Sequence, residues 1–289
     1  SDGAPGRALS QTGESDLDLI FVYDYPDDDS VSDGARSLPA QQYFTRLSQR
    51  LINAMTVPTA EGKLYEVDMR LRPSGNSGPV ATRFSGFADY QRNDAWTWEH
   101  MALTRARIVA GEAELAARVR ATVAEVLCRP RDRQCAAADV AAMRQRLIRQ
   151  RGSDNPWEMK LVRGGLLDIE FIAQFLQLAH ATDTAKVLHP NICTALSNLA
   201  RAGHLSRQDA DKLIAASGLY RDLMALFRVS VVGEFDPSAA PRGMVNAVLR
   251  ISEAADLEQL EKRLLQTQAD VLAAFERIVT AAAGTDEDG

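Results

Sequence analysis

Two short stretches near the start of the chain alternate apolar and polar residues with a period of two. In Ser15-Asp16-Leu17-Asp18-Leu19-Ile20-Phe21, the residues Leu17, Leu19 and Phe21 turn to one side and Asp16 and Asp18 to the other. In Tyr65-Glu66-Val67-Asp68-Met69-Arg70-Leu71-Arg72-Pro73, an apolar face of Tyr65, Val67, Met69 and Leu71 backs a polar face of Glu66, Asp68, Arg70 and Arg72. Both read as strands. Between them Phe44, Leu47, Leu51, Ile52 and Met55 follow helical spacing, predicting a helix from Pro39 to Thr56 that links the two strands and stops before Pro58. The stretch from Asp24 to Ala40, rich in Asp, Ser, Pro and Gly, reads as a loop. Pro73-Ser74-Gly75-Asn76-Ser77-Gly78-Pro79 reads as a turn, either a plain hairpin connection or a close backbone approach to a ligand.

The pattern then becomes helical. A region holding Trp96, Trp98, Glu99, His100, Arg105 and Arg107 places Trp98, Met101, Ala102 and Arg105 on one side, so the tryptophans are expected in the core and His100 in a structural role. A domain boundary is expected near Cys128-Arg129-Pro130-Arg131-Asp132, where proline and charge interrupt two alanine-rich stretches. Beyond it, helices are predicted over about 136 to 151, 165 to 182, 190 to 202, 206 to 232 and 253 to 281. This predicts an α+β architecture followed by an all-α bundle, with a small acidic tail expected to be disordered over residues 284–289.

Composition narrows the function. A hydrophobic content of 46% with 25% charged residues describes a globular chain. The net charge of -6 supplies no basic face for nucleic acid, so a protein acceptor suits the chain better than a polynucleotide. Cys128, Cys135 and Cys193 show neither metal-ligand pairing nor the even count of a disulfide framework; they are expected to be inert core residues in a reducing cytoplasm. No apolar run approaches the roughly 18 residues needed to span a bilayer.

The acids and arginines carry the chemistry. Two carboxylates on one face repel each other unless a cation lies between them, and a hard divalent ion with oxygen ligands is the natural one. Asp16 and Asp18 alone would equally suit a solvated strand end. The second strand adds Asp68 and Glu66, followed on the same face by Arg70 and Arg72, whose guanidiniums match a polyphosphate; an exposed edge strand with cross-strand ion pairs is the plain alternative. Three acids and two arginines suit nucleotidyl transfer, in which two metal ions bind the attacking and leaving oxygens and an acid takes the proton of the nucleophile. Asp68 is the candidate base or metal-bridging acid, with Glu66 its rival.

Taken in order, Ser15 to Tyr23, Tyr43-Phe44-Thr45-Arg46-Leu47-Ser48-Gln49-Arg50-Leu51, Tyr65 to Gly78 and Ala95-Trp96-Thr97-Trp98-Glu99-His100-Met101-Ala102-Leu103-Thr104-Arg105-Ala106-Arg107 resemble bacterial glutamine synthetase adenylyltransferase, of the DNA polymerase β nucleotidyltransferase superfamily. Gly164-Gly165-Leu166-Leu167-Asp168-Ile169-Glu170-Phe171 is similar to that family's G-G-x-x-[DE]-I-E-F block. The resemblance implies a polymerase β-like catalytic domain over residues 1–130 and a helical bundle over 131–283. It implies ATP as substrate, two Mg²⁺ ions (Mn²⁺ substituting) at Asp16, Asp18 and Asp68, and nucleotide contacts from Ser15, Arg70, Arg72 and Lys160. Glu66, Glu99, Arg105, Arg107 and Glu170 stand as further residues of the site. The implied acceptor is a tyrosine of glutamine synthetase, in the cytoplasm, with the PII regulatory protein and glutamine controlling the parent enzyme.

That family carries two related halves, one adding AMP and one removing it. Glu66 and the run Trp96-Thr97-Trp98-Glu99-His100 look like the adding, C-terminal half. Phosphate-dependent removal of AMP and a non-catalytic docking role are the alternatives. One departure stands out: the superfamily opens its site with a strand ending in Gly-Gly or Gly-Ser, and this chain has Ala4-Pro5-Gly6-Arg7 there, with Pro5 unable to donate an amide. The expectation is a piece of a larger protein whose glycine-rich strand lies upstream, with Ser1-Asp2-Gly3 foreign to it.

Overall fold

The computed structural model describes residues 17–284, apart from 28, 61, 64 and 232. The described fold falls into two compact units: residues 17–99 with 108–126, and residues 100–107 with 127–284.

The first unit is α+β. Strand β1 (Leu17–Asp18) is followed by β2 (Phe21–Tyr23), helix α1 (Ala40–Thr56), the small antiparallel pair β3 (Pro58–Thr59) and β4 (Gly62–Lys63), β5 (Val67–Asp68) and β6 (Ala81–Arg83). Helices α2 (Phe84–Asn93) and α4 (Ala113–Leu127) follow, while α3 (Thr97–Leu103) starts in this unit and continues into the residues of the second. β1 pairs with β5 and β2 with β6, both parallel. Parallel neighbours need a crossover, and α1 supplies it for β1 and β5, packing on β5 and β6. Because β5 and β6 pair with different partners, the Pro73–Pro79 turn does not close a hairpin; it holds a short 3₁₀ turn at Gly75–Ser77, with Ser74 and Gly75 both at positive φ.

Sequence periodicity overestimates these strands. The stretch from Tyr65 to Pro73 pairs only at Val67–Asp68, because the Asp68 carboxylate accepts the Arg70 backbone amide at 2.8 Å and a turn closes from Arg72 N to Met69 O at 3.2 Å. An Asp that binds the chain two residues on competes with the ladder and ends the strand. The tryptophans also depart from expectation: Trp96 is 70% exposed and Trp98 37%, while Met101 is buried. α3 spans only seven residues, and Glu99 takes the interior position instead. The cysteines are not core residues either, since Cys135 is exposed in the first turn of α5 and Cys128 and Cys193 are half-buried.

The second unit is helical: α5 (Arg133–Arg151), α6 (Leu166–His180), α7 (Ile192–Arg201), α8 (Arg207–Ser230), α9 (Arg242–Ser252) and α10 (Leu257–Phe275), which runs on through a π turn. α6 is the central element. Eleven of its fifteen residues are buried, among them Asp168, Gln174 and Gln177, and it packs on α5, α7, α8 and α10. Asp132, Asn191, Ser206 and Asp256 cap their helices by accepting from the third residue on. α9 fills the gap between the helices expected over 206 to 232 and 253 to 281, and Pro241 stands immediately before its first turn. Among the described residues no helix is long and apolar enough to cross a membrane.

Candidate active site

The register of β1 and β5 pairs Leu17 with Val67 and Asp18 with Asp68. Leu17 N donates to Glu66 O at 2.8 Å and Leu19 N to Asp68 O at 2.9 Å, the evenly spaced ladder of parallel strands. Side chains in register on neighbouring strands leave the sheet on the same face, with the strands about 4.8 Å apart. Asp18 and Asp68 are therefore neighbours, and Glu66, exposed one position before β5, shares the alternation of Asp68.

Asp68 carries a cation in this structure. Arg70 Nε donates to Asp68 Oδ2 at 2.6 Å, and the Asp68 side chain is 12% exposed against 65% for Arg70. That hydrogen bond holds the Asp68 carboxyl below the usual carboxylate range, against the opposing effect of burial. Arg72, expected beside Arg70 on a strand face, is instead folded into the turn. Its guanidinium donates to the carbonyls of Met69 at 2.8 Å and of Gly78 and Asn76 at 3.3 Å. Ser15, Asp16 and the Ala4 to Arg7 segment lie outside the described residues.

A second charged cluster in this unit escaped the sequence reading. Asp24, just past β2, pairs with Arg118 at 2.7 Å and Arg83 at 3.4 Å, while Arg83 lies 4.0 Å over the Tyr25 ring. It borders a groove of about 860 Å³ lined by Phe21, Phe44, Leu47, Leu51 and Leu115 among others, which none of the described residues of the predicted site lines. No motif announces the cluster, because its members are separated by tens of residues.

Glu99 is committed locally. It is 4% exposed, accepts from Tyr90 Oη at 2.9 and 3.1 Å, and accepts the Trp96 amide at 2.9 Å. Its carboxylate thus fixes the entry to α3.

The remaining predicted residues belong to the helical unit. Arg105 pairs with Glu170 at 2.8 Å, so the glutamate of the Gly-Gly block holds the 100–107 segment onto α6. Arg107 and Lys160 are exposed, and the Lys160 carbonyl accepts from Leu167 N at 3.2 Å. The block itself is a clasp around buried charge. Asp168 accepts from Arg144 and from the Gly164 amide, and Arg144 also donates to the carbonyls of Leu161 at 3.2 Å and Val162 at 3.1 Å. Tyr220 Oη donates to Gly164 O at 3.0 Å, and burial pushes that phenol's pKa up. Gly164 has φ +75°, and a Cβ there would stand 1.9 Å from Gln268 O, so the first glycine is required by α10 passing over the loop. The spacing from Gly164 to Asp168 signals this loop; Arg144 and Tyr220 carry no comparable signal.

An α+β unit whose parallel strands set two carboxylates and an arginine on one face, joined in sequence to a helical unit, defines the class. The chain belongs to the glutamate-ammonia ligase adenylyltransferase family. The model of that family matches residues 10–122, and the model of the GlnD PII-uridylyltransferase family matches residues 136–230. The bifunctional glutamine synthetase adenylyltransferase/adenylyl-removing enzyme of Rhodopseudomonas palustris strain TIE-1 is 47% identical over 268 residues, 93% of this chain and 27% of that enzyme. Similarly named enzymes of Bradyrhizobium diazoefficiens and Xanthobacter autotrophicus are 45% and 46% identical, each over 96% of this chain and 28% of the relative. The chain thus spans little more than a quarter of the length of the curated relatives it matches.

Proposed function

We propose that this chain is an adenylyl-transferring segment, which moves AMP from ATP to a tyrosine hydroxyl of glutamine synthetase. The observation that carries the reading is the register of Asp18 with Asp68 in a chain of this family. The same residues suit a hard divalent cation: two carboxylates project from one face, and Asp68 already holds a positive guanidinium. Asp18 and Asp68, with Asp16 beside them in sequence, would hold Mg²⁺, or Mn²⁺ in its place. When bound, the ion neutralises the triphosphate and favours departure of pyrophosphate.

The chain's own residues supply the rest. The acceptor hydroxyl oxygen forms a bond to the α-phosphorus of ATP, the bond to the α,β-bridging oxygen breaks, and pyrophosphate leaves with that electron pair. The hydroxyl proton passes to the Asp68 carboxylate. Asp68 is a poor base while Arg70 lies on it, because the pairing depresses its proton affinity. Arg70, largely exposed, reaches the phosphates when they arrive, and its departure restores the basicity of Asp68. Glu66 is the neighbouring acid able to share that task. Ser15, Arg72 and Lys160 are the further nucleotide contacts that the family resemblance implies. Glu170, Arg105 and Arg107 are implied by the same resemblance as further residues of the site.

Glu66 and the Trp96 to His100 run support the adenylylating half; the cytoplasm is its proposed place of action, and the PII protein and glutamine are proposed to act on the parent enzyme. The test is transfer of labelled AMP to unmodified glutamine synthetase. Wild-type chain is expected to label it only with Mg²⁺ or Mn²⁺, and Asp18→Asn and Asp68→Asn to abolish labelling without loss of fold. Undiminished labelling by Asp18→Asn overturns the assignment of the site. ADP formed from adenylylated glutamine synthetase and phosphate, with no added ATP, assigns the chain to the removing reaction instead.

A further inference from the structure

The helical unit brings together two imidazoles and a carboxylate that the proposed transfer reaction does not use. His180 is the last residue of α6, Asp183 lies in the turn that follows, and His204 stands just past α7. One ligand atom from each lies within 4.8 Å of the others. The two rings stack with centroids 3.7 Å apart, and His180 Nδ1 is 3.5 Å from Asp183 Oδ2. We infer that His180, Asp183 and His204 form a binding site for a divalent transition-metal ion of the zinc type, separate from the carboxylate pair on β1 and β5.

Four features support it. First, the donor set is two imidazole nitrogens and one carboxylate oxygen, which suits Zn²⁺, Co²⁺ or Ni²⁺ and not Mg²⁺. Second, the backbone fixes the three residues locally: the amides of Asp183 and Thr184 both donate to His180 O, at 3.0 and 3.1 Å. The His204 amide donates to Leu199 O at 3.0 Å after Gly203 turns the chain at φ +80°. Third, His180 ends α6 and His204 stands three residues past the end of α7, so both lie by helix C-termini, where the helix dipole favours a cation. Fourth, a cation is there already. The guanidinium of Arg133 lies on the His180 ring, 3.1 Å from Nε2, and 3.7 Å from the Asp183 carboxylate. Rotation about the soft χ2 torsions lets the two stacked rings turn their nitrogens onto one ion. Arg133, about half exposed, swings away as the ion enters.

Titration of the chelator-treated 289-residue chain with Zn²⁺, in excess Mg²⁺ to occupy the carboxylates on β1 and β5, tests this directly. One equivalent is expected to bind. His180→Ala and His204→Ala are each expected to abolish that binding, and Asp183→Asn, at an exposed position, to weaken it about tenfold or more. Arg133→Ala is expected to tighten it by removing the competing cation. Substituted Co²⁺ should show the visible absorption of nitrogen ligation in the wild type and lose it in His204→Ala. No saturable Zn²⁺ uptake, or uptake unchanged in both His204→Ala and Asp183→Asn, overturns the inference.

Discussion

The Arg144 guanidinium and the Asp168 carboxylate face each other inside the helical unit, with 3% and 2% of their side chains exposed. The carboxylate also binds the Gly164 amide, and the guanidinium two carbonyls of the preceding loop, so one ion pair fixes the whole Gly-Gly turn onto α6. Removing one member of such a pair leaves an uncompensated charge in the interior. Arg144→Met is therefore expected to destabilise the unit by about 3 to 5 kcal/mol. Denaturant unfolding followed by far-UV circular dichroism measures it, and a loss below that expected for a surface substitution contradicts the role assigned to the pair.

Gly164 is held to glycine by geometry alone. Its φ of +75° strains any residue with a Cβ, and that Cβ would fall 1.9 Å from the Gln268 carbonyl oxygen on α10. Relief requires α10 or the loop to move, at a cost above the roughly 1 to 3 kcal/mol of an isolated unfavourable backbone conformation. Gly164→Ala is expected to unfold at clearly lower denaturant than wild type. Gly203→Ala, also at positive φ but with nothing within 4 Å of its Cβ position, is expected to lose only the smaller backbone share.

Asp68 and Arg70 make a pH prediction. The folded-state pKa of Asp68 is depressed, so the pairing contributes stability above the ordinary carboxylate value of 3.8 and loses it as pH falls through the lower folded value. Arg70 is 65% exposed, and solvent screening limits the contribution to about 1 kcal/mol or less. Arg70→Ala is expected to raise the Asp68 pKa toward 3.8 and to flatten acid unfolding in that window. Carbon-13 titration of the aspartate carboxyls reads the shift residue by residue.

How much of this was legible in the sequence depends on how local each cause is. The helix from Ala40 to Thr56 and most of the bundle follow from apolar spacing, and α6 reads plainly because ten of its fifteen positions are apolar. Two acid-bearing alternating segments with an amphipathic helix between them were readable, whereas the register that sets Asp18 opposite Asp68 was not. The early end of β5 was not, because one hydrogen bond from Arg70 N to the Asp68 side chain decides between strand and turn. Trp96 and Trp98 misled for a related reason. Helical spacing says which residues share a side but not which side faces inward, and the interior partner at α3 proved to be the Glu99 carboxylate. Arg144, Tyr220, Asp24 and His204 gained their roles through contacts 24 or more residues away in the chain, which no local pattern encodes.

The last prediction separates two readings of Glu99. If its role is to receive the Tyr90 hydroxyl and the Trp96 amide, losing a donor must cost stability before it costs chemistry. Tyr90→Phe removes a hydroxyl that lies 2.9 and 3.1 Å from a carboxylate only 4% exposed, and hydrogen bonds to a charged group are worth about 1.5 to 3 kcal/mol. Glu99→Ala is expected to cost more, because it leaves both the Tyr90 hydroxyl and the Trp96 N–H without this acceptor. The specific readout is hydrogen exchange at the Trp96 amide, accelerated in Glu99→Ala and much less in Tyr90→Phe, where the carboxylate is still in place. A Glu99→Ala chain that keeps wild-type stability and Trp96 protection yet loses AMP transfer would place Glu99 in the reaction instead of in the scaffold.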